Sequence, residues 1–205
     1  MKPAEIEKLS FQIIDQEAGR HHFTSAQWSI VRRMIHTSAD FEYKETVRFH
    51  QDAITSGLDA IRKGKNIITD TNMARVGIRE YELSQFGATV TCYMNDPQVH
   101  RTATATGVTR AKVAVEIAAA DMADGIYVVG NAPTALLALI DLIHEHKAKP
   151  ALIIGLPVGF VNAAESKAAL MELDCPFISN VGRKGGSNVA ASVVNALAIM
   201  AAGNA

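Results

Sequence analysis

Cysteine is scarce: Cys92 and Cys175 are the only two in 205 residues. They lie too far apart for a disulfide framework, and no CxxC spacing suggests a zinc site. Both read as free thiols. Charge of one sign is missing too, since 20 Lys and Arg stand against 21 Asp and Glu for a formal net charge of -1. A generic nucleic-acid or acidic-membrane binder needs a cationic face, so neither class fits. No charge block is long enough to be an interaction tail. Long apolar runs are absent as well. The longest uncharged apolar stretch, 189–202, spans 14 residues and contains Ser192 and Asn195, short of the roughly 20 needed to cross a bilayer. The opening MKPAEIEKLS puts Glu5 and Glu7 where a secretory signal needs an apolar core. A cytoplasmic location is expected.

What the chain does have is apolar residues, 48% against 20% charged, which excludes disorder. Its length suits one domain with a core that needs no staples. The first part reads as helical. Ile6, Leu9, Ile13 and Ile14 recur at helical spacing over 5–18, and Gly19 marks a stop. A second helix starts at a Thr24 or Ser25 cap and runs to about Thr37, with Trp28, Val31 and Ile35 on one stripe. A third carries Val47, Ile54, Leu58 and Ile61 and ends at Lys63-Gly64.

After residue 65 the rhythm changes. NIITD (66–70), ATVTCY (88–93), GIYVVG (125–130), ALIIGL (151–156) and PFIS (176–179) are short apolar runs. Such runs mark strands covered on both faces, as in a parallel sheet. Helical patterns separate several of them, over 109–122, 133–146, 163–173 and 187–202. The expected fold is α/β, a three-layer α/β/α, flavodoxin-like, doubly wound five-stranded parallel sheet with a helical N-terminal extension. One domain, 1–205, is expected, with the extension at 1–64 and the core at 65–205.

Ligands of such a sheet bind beyond the carboxyl ends of its strands. The loops there are TDTNMARVGI (69–78), YMNDPQVHR (93–101), GNAPTAL (130–136), GLPVGFVNAAESK (155–167) and NVGRKGGSN (180–188). Pro133 suits a first helical position and Ser187 a helix cap. Amides at those helix starts, with Gly182, Gly185 and Gly186 allowing close approach, make anion sites, and Arg183 and Lys184 add positive charge. Turn-making is the plainer reading of these glycines. No GxGxxG follows the first strand, and GRKGGS is not GxxxxGK[ST], so the anion is not a nucleotide pyrophosphate. Neither HExxH nor GxSxG occurs. His36 follows Arg32-Arg33-Met34-Ile35 near a helix C-terminus, which favours imidazolium, while the arginines oppose it. Taken alone, a packing histidine is the simpler reading.

The segments RMIH (33–36), TDTNM (69–73), GNAPTAL, GLPVGFVNAAESK, GRKGGS (182–187) and VNAL (194–197) together resemble the precorrin-8X methylmutase family, also called cobalt-precorrin-8 methylmutase, of cobalamin biosynthesis. The resemblance covers essentially the whole chain, in order. It implies an isomerase that moves a methyl group from carbon 11 to carbon 12 of a tetrapyrrole, giving hydrogenobyrinate or its cobalt-containing equivalent, cobyrinate. It also implies a homodimer with the tetrapyrrole near the subunit interface, and no cofactor or metal. The family's catalytic histidine, proton donor and acceptor, falls on His36, a substrate-contacting arginine on Arg33, and a serine of the SFQII segment on Ser10. Charge and position add Arg183 and Lys184 as partners for substrate carboxylates. The family commonly has glycine where this chain has Ala39. Two other classes remain to be separated from the enzyme: a non-catalytic corrinoid carrier and a nucleotide-dependent enzyme on the same fold.

Overall fold

A computed structural model describes residues 2–203, so Met1, Asn204 and Ala205 of the expected domain lie outside it. The sheet has six strands rather than five: β1 Val47–Phe49, β2 Ile67–Thr69, β3 Val90–Thr91, β4 Ile126–Val129, β5 Leu152–Gly155 and β6 Phe177–Asn180. Their order is β1-β6-β5-β4-β2-β3. β2 to β6 pair in parallel, whereas β1 runs antiparallel along β6 with Val47 opposite Asn180. The sheet is therefore mixed, with the antiparallel strand at one edge. β2, β4, β5 and β6 are buried throughout, which their unbroken Ile, Val and Leu runs require.

β1 overturns the third helix expected over 47–63. A short helix, Tyr43–Thr46, ends as Val47 turns extended, and the next helix begins only at Ala53. Val47 is buried, but in a strand, so its apolar match to the helical stripe of 54, 58 and 61 was coincidental. The expected loops at 69–78 and 93–101 contain the helix Asn72–Gly77 and the start of Pro97–Thr106, and a further short helix, Glu80–Ser84, follows the first of them.

The first two helices follow the expected periodicity. Pro3–Ala18 stops at Gly19, and Ser25–Ser38 begins at a capping box in which Thr24 accepts from the Gln27 amide and Gln27 reaches back to the Thr24 amide. The second helix buries Ile30, Val31, Met34 and Ile35 against the final helix, Ser187–Ala201. That alanine-rich helix belongs to the chain's own core, with Val189, Ala190, Val193, Val194, Leu197 and Ala198 all buried. Among the described residues no helix is long and apolar enough to cross a membrane. Cys92 and Cys175 are both free.

Candidate functional site

Two helices build the site around one aromatic ring. Phe11, on Pro3–Ala18, packs edge-on against His36, with ring centroids 5.1 Å apart at 67°. The Arg32 and Arg33 guanidinium carbons lie 4.4 Å and 5.2 Å from the same ring centroid, within cation–π range. His36 is exposed in the last turn of Ser25–Ser38. Ser29, Arg32, Arg33 and His36 fall on one face of that helix because their spacing is three to four residues. Two ion pairs and an indole hydrogen bond clamp the helices together. Arg33 meets Glu7 at 3.1 Å, Arg32 meets Asp15 at 3.0 Å, and the Trp28 Nε1–H donates to Asp15. The Ser10 hydroxyl donates to the Ile6 carbonyl one turn back. A cleft of about 390 Å³ opens beside Arg33, its wall including Glu7, Phe11, Arg79 and Glu82.

Ala39 closes the helix in the left-handed region, at φ 53° and ψ 30°, with its amide bonded to the Ile35 carbonyl. An L-residue is strained there, and glycine is the usual occupant. The turn expected of a glycine therefore forms without one. It delivers Asp40 and Glu42 to the Lys184 ammonium, at 2.6 Å and 2.7 Å. Lys184 holds the Asp40 carboxyl below the usual carboxylate range, and the two carboxylates hold the ammonium above its ordinary value. The Lys184 charge is thus spent on two side chains of the protein. Arg183, exposed beside it, lies over the outward-facing Phe160 ring at 5.6 Å.

Helical spacing puts Arg33 and His36 on one helix face, while Ser10 was named by the resemblance alone, and its hydroxyl is turned to its own helix. Neither foresaw that Lys184 reaches Asp40 and Glu42, just beyond His36. β1 does this: it pairs with β6, and the Val181 amide bonds the Thr46 carbonyl, so the glycine-rich loop 181–186 lies beside the segment that follows His36.

Other expected anion sites are filled from within. The buried Asp70 carboxylate, just past β2, accepts from the amides of Gly130, Asn131 and Ala132 at 2.8–2.9 Å. Burial pushes this carboxyl up while the three amides pull it down. Ser187 does not cap the final helix. Gly186 is the residue before it, and the Ser187 hydroxyl instead shares a hydrogen bond with Thr71 at 2.9 Å. The Gly186 amide bonds the Leu156 carbonyl.

Phe11 and Lys167 are not marked out by the sequence patterns above. Phe11 follows Ser10 in SFQII, and nothing in that pattern distinguishes it from a core aromatic. Lys167 was more readable, because it shares the 163, 166, 167, 170 face of its helix, and that face is buried. Its side chain is fully enclosed, with Nζ donating to Asn180 Oδ1 at 3.1 Å and to the Lys184 carbonyl at 2.6 Å. Burial lowers its ammonium to about 8.

Residues 5–200 match the family model described as Precorrin-8X methylmutase. A cobalt-precorrin-8 methylmutase of Priestia megaterium is 47% identical over 98% of this chain and 89% of its own length. One of Salmonella typhimurium is 44% identical over 96% and 94%. A precorrin-8X methylmutase of Sinorhizobium sp is 36% identical over 94% and 92%. The crystal structure of precorrin-8x methyl mutase from Thermus thermophilus superposes with a TM-score of 0.92 at 46% identity, covering 98% of each chain.

Proposed function

Because the chain belongs to the precorrin-8X methylmutase family, we propose that it moves a methyl group from carbon 11 to carbon 12 of precorrin-8X or cobalt-precorrin-8, with His36 as proton donor and acceptor. The products are hydrogenobyrinate and cobyrinate respectively. The observation that carries this reading is the cluster on Phe11: an exposed imidazole and two guanidinium groups share one aromatic ring.

The chemistry follows from those groups. His36 lends a proton to a nitrogen of the macrocycle beside the migrating methyl. That polarises the conjugated system and eases a 1,5-sigmatropic shift. The proton then returns to the imidazole, so atoms and charge balance without a co-reactant. Proton transfer of this kind supplies about 10² to 10⁴ in rate. Holding the macrocycle in its reactive shape supplies the remainder. Arg33 meets a carboxylate of the substrate rim, exchanging Glu7 for it, and planar bidentate contacts suit that exchange. Ser10 contacts the substrate from the facing helix, and Arg183 takes a second carboxylate. Lys184, committed to Asp40 and Glu42, acts by holding the Arg183 loop.

The finer features of the assembly belong to the same reading. Taken without β1, the strands run 2-1-3-4-5, the flavodoxin-like order. Ile6, Leu9 and Ile13 form an outward stripe on Pro3–Ala18, 45–52% exposed, which supports a homodimer with the substrate near the subunit interface. The test is incubation of the purified protein with precorrin-8X, followed by absorption. Wild type should convert it, and His36→Ala should lose about 10² to 10⁴ in turnover while keeping tetrapyrrole affinity within about tenfold. Wild-type turnover by His36→Ala would remove the proton-transfer role. Tight binding by wild type without conversion would identify a carrier instead.

A further inference from the structure

The final strand and the final helix are joined by loop 181–186, which the protein's own groups bolt down. The Gly159 amide bonds the Arg183 carbonyl, the Gly186 amide bonds the Leu156 carbonyl, and the Lys184 carbonyl accepts from both Lys167 Nζ and Asn180 Nδ2. Gly185 is pressed so closely that a Cβ there would sit 2.2 Å from the Leu156 carbonyl oxygen. The Lys184 backbone is thus fixed from beneath, while its side chain reaches outward to Asp40 and Glu42. Those residues follow closely on the helix Ser25–Ser38, whose last turn carries His36.

Enclosing an ammonium group costs free energy that a methionine or leucine at this position would avoid. No carboxylate repays that cost: both groups that accept from Lys167 Nζ are neutral carbonyl oxygens. We propose that Lys167 is a positioning residue for His36: it anchors the Lys184 backbone, and the Lys184 side chain in turn fixes the end of the His36 helix through Asp40 and Glu42. The inference rests on the role proposed above for His36. The route is a continuous series of hydrogen bonds and ion pairs, Lys167 to Lys184 to Asp40, from the buried face of one helix to the exposed end of another. Its outer link is exposed, and an isolated pair of that kind adds little stability. Its effect is therefore on geometry, where displacements near 1 Å cost rate.

The test uses the full chain carrying Lys167→Met, the pair Asp40→Asn with Glu42→Gln, and all three substitutions together. Histidine-ring NMR follows His36, whose signal is assigned by its loss in His36→Ala. Turnover of precorrin-8X is measured in parallel, with kcat and KM separated. The His36 signal should shift or broaden in Lys167→Met and in the carboxylate pair, and kcat should fall about tenfold in each. The triple variant should be no more than about twofold worse than its worse parent, because every substitution cuts one route. Lys147→Met, at an exposed lysine paired with Glu145, should leave both readouts unchanged. An unmoved His36 signal in the folded carboxylate pair would overturn the proposal, as would rate losses that multiply. Should Lys167→Met fail to fold, the carboxylate pair decides by the same readouts. The ring signal needs no turnover, so a wild type inactive on both precorrin-8X and cobalt-precorrin-8 would refute the functional reading separately.

Discussion

Ala39→Gly should stabilise the protein. At φ 53° the alanine Cβ crowds its own carbonyl, and for an L-residue the left-handed region costs roughly 1–2 kcal/mol. Glycine carries no such cost in the folded state. It gains freedom in the unfolded chain, which takes back about 0.5–1 kcal/mol. The Ala39 side chain is exposed, so its methyl contributes little burial. The helix-closing bond from residue 39 to the Ile35 carbonyl is made by the backbone and survives the change. The net gain is about 0.5–1 kcal/mol, or ~1–4 °C in Tm for a domain of this size. Urea unfolding followed by circular dichroism should show a higher midpoint at unchanged slope. An equal or lower midpoint would mean that residue 39 does not occupy the left-handed region, and the presentation of Asp40 and Glu42 to Lys184 would have to be rebuilt. Activity should hold or rise slightly, because the turn that presents Asp40 is the same turn, without its strain.

Asp70→Ala should destabilise by about 2–4 kcal/mol, since the Gly130, Asn131 and Ala132 amides lose one shared acceptor while the cost of burying a carboxyl is relieved. A loss below about 1 kcal/mol in urea unfolding would show that water replaces the carboxylate freely. Lys167 carries a pH signature of defined sign. Its ammonium is lowered in the fold to about 8 from 10.5, so between those values the unfolded chain binds more protons and this group's contribution to stability rises with pH. Below about 8 the ammonium is charged in both states and its burial cost is fully present. Relative to Lys167→Met, wild type should therefore gain stability between pH 8 and 10, measured as a difference in urea midpoints. A constant or shrinking difference would contradict the burial of a charged lysine.

The parallel strands were legible because strands enclosed on both faces must be apolar along their length. Each expected run contains or overlaps its observed strand. The helices at 5–18, 25–37 and 187–202 were legible from their periodicity and from Thr24. β1 was not. At three residues it is too short for alternation to show, and Val47 happened to fall in step with the apolar positions of the following helix. That miss mattered at the site, since β1 sets the loop carrying Arg183 and Lys184 beside the segment that follows His36. Lys184 was legible as a cation but not as a spent one, because Asp40 lies 144 positions away in sequence. Asp70 was passed over for a related reason: its three partners lie 60–62 residues further on.

Asp70 also bears on what the head of the sheet can receive. In open α/β sheets a ligand is received where the strand order reverses, here between β2 and β4. This chain grows its own tenant for that berth, an aspartate whose oxygens already occupy the waiting amides. A nucleotide would have to evict a covalently tethered lodger. The open ground lies to one side, where a single helix carries an imidazole and two guanidinium groups around a ring supplied by its neighbour.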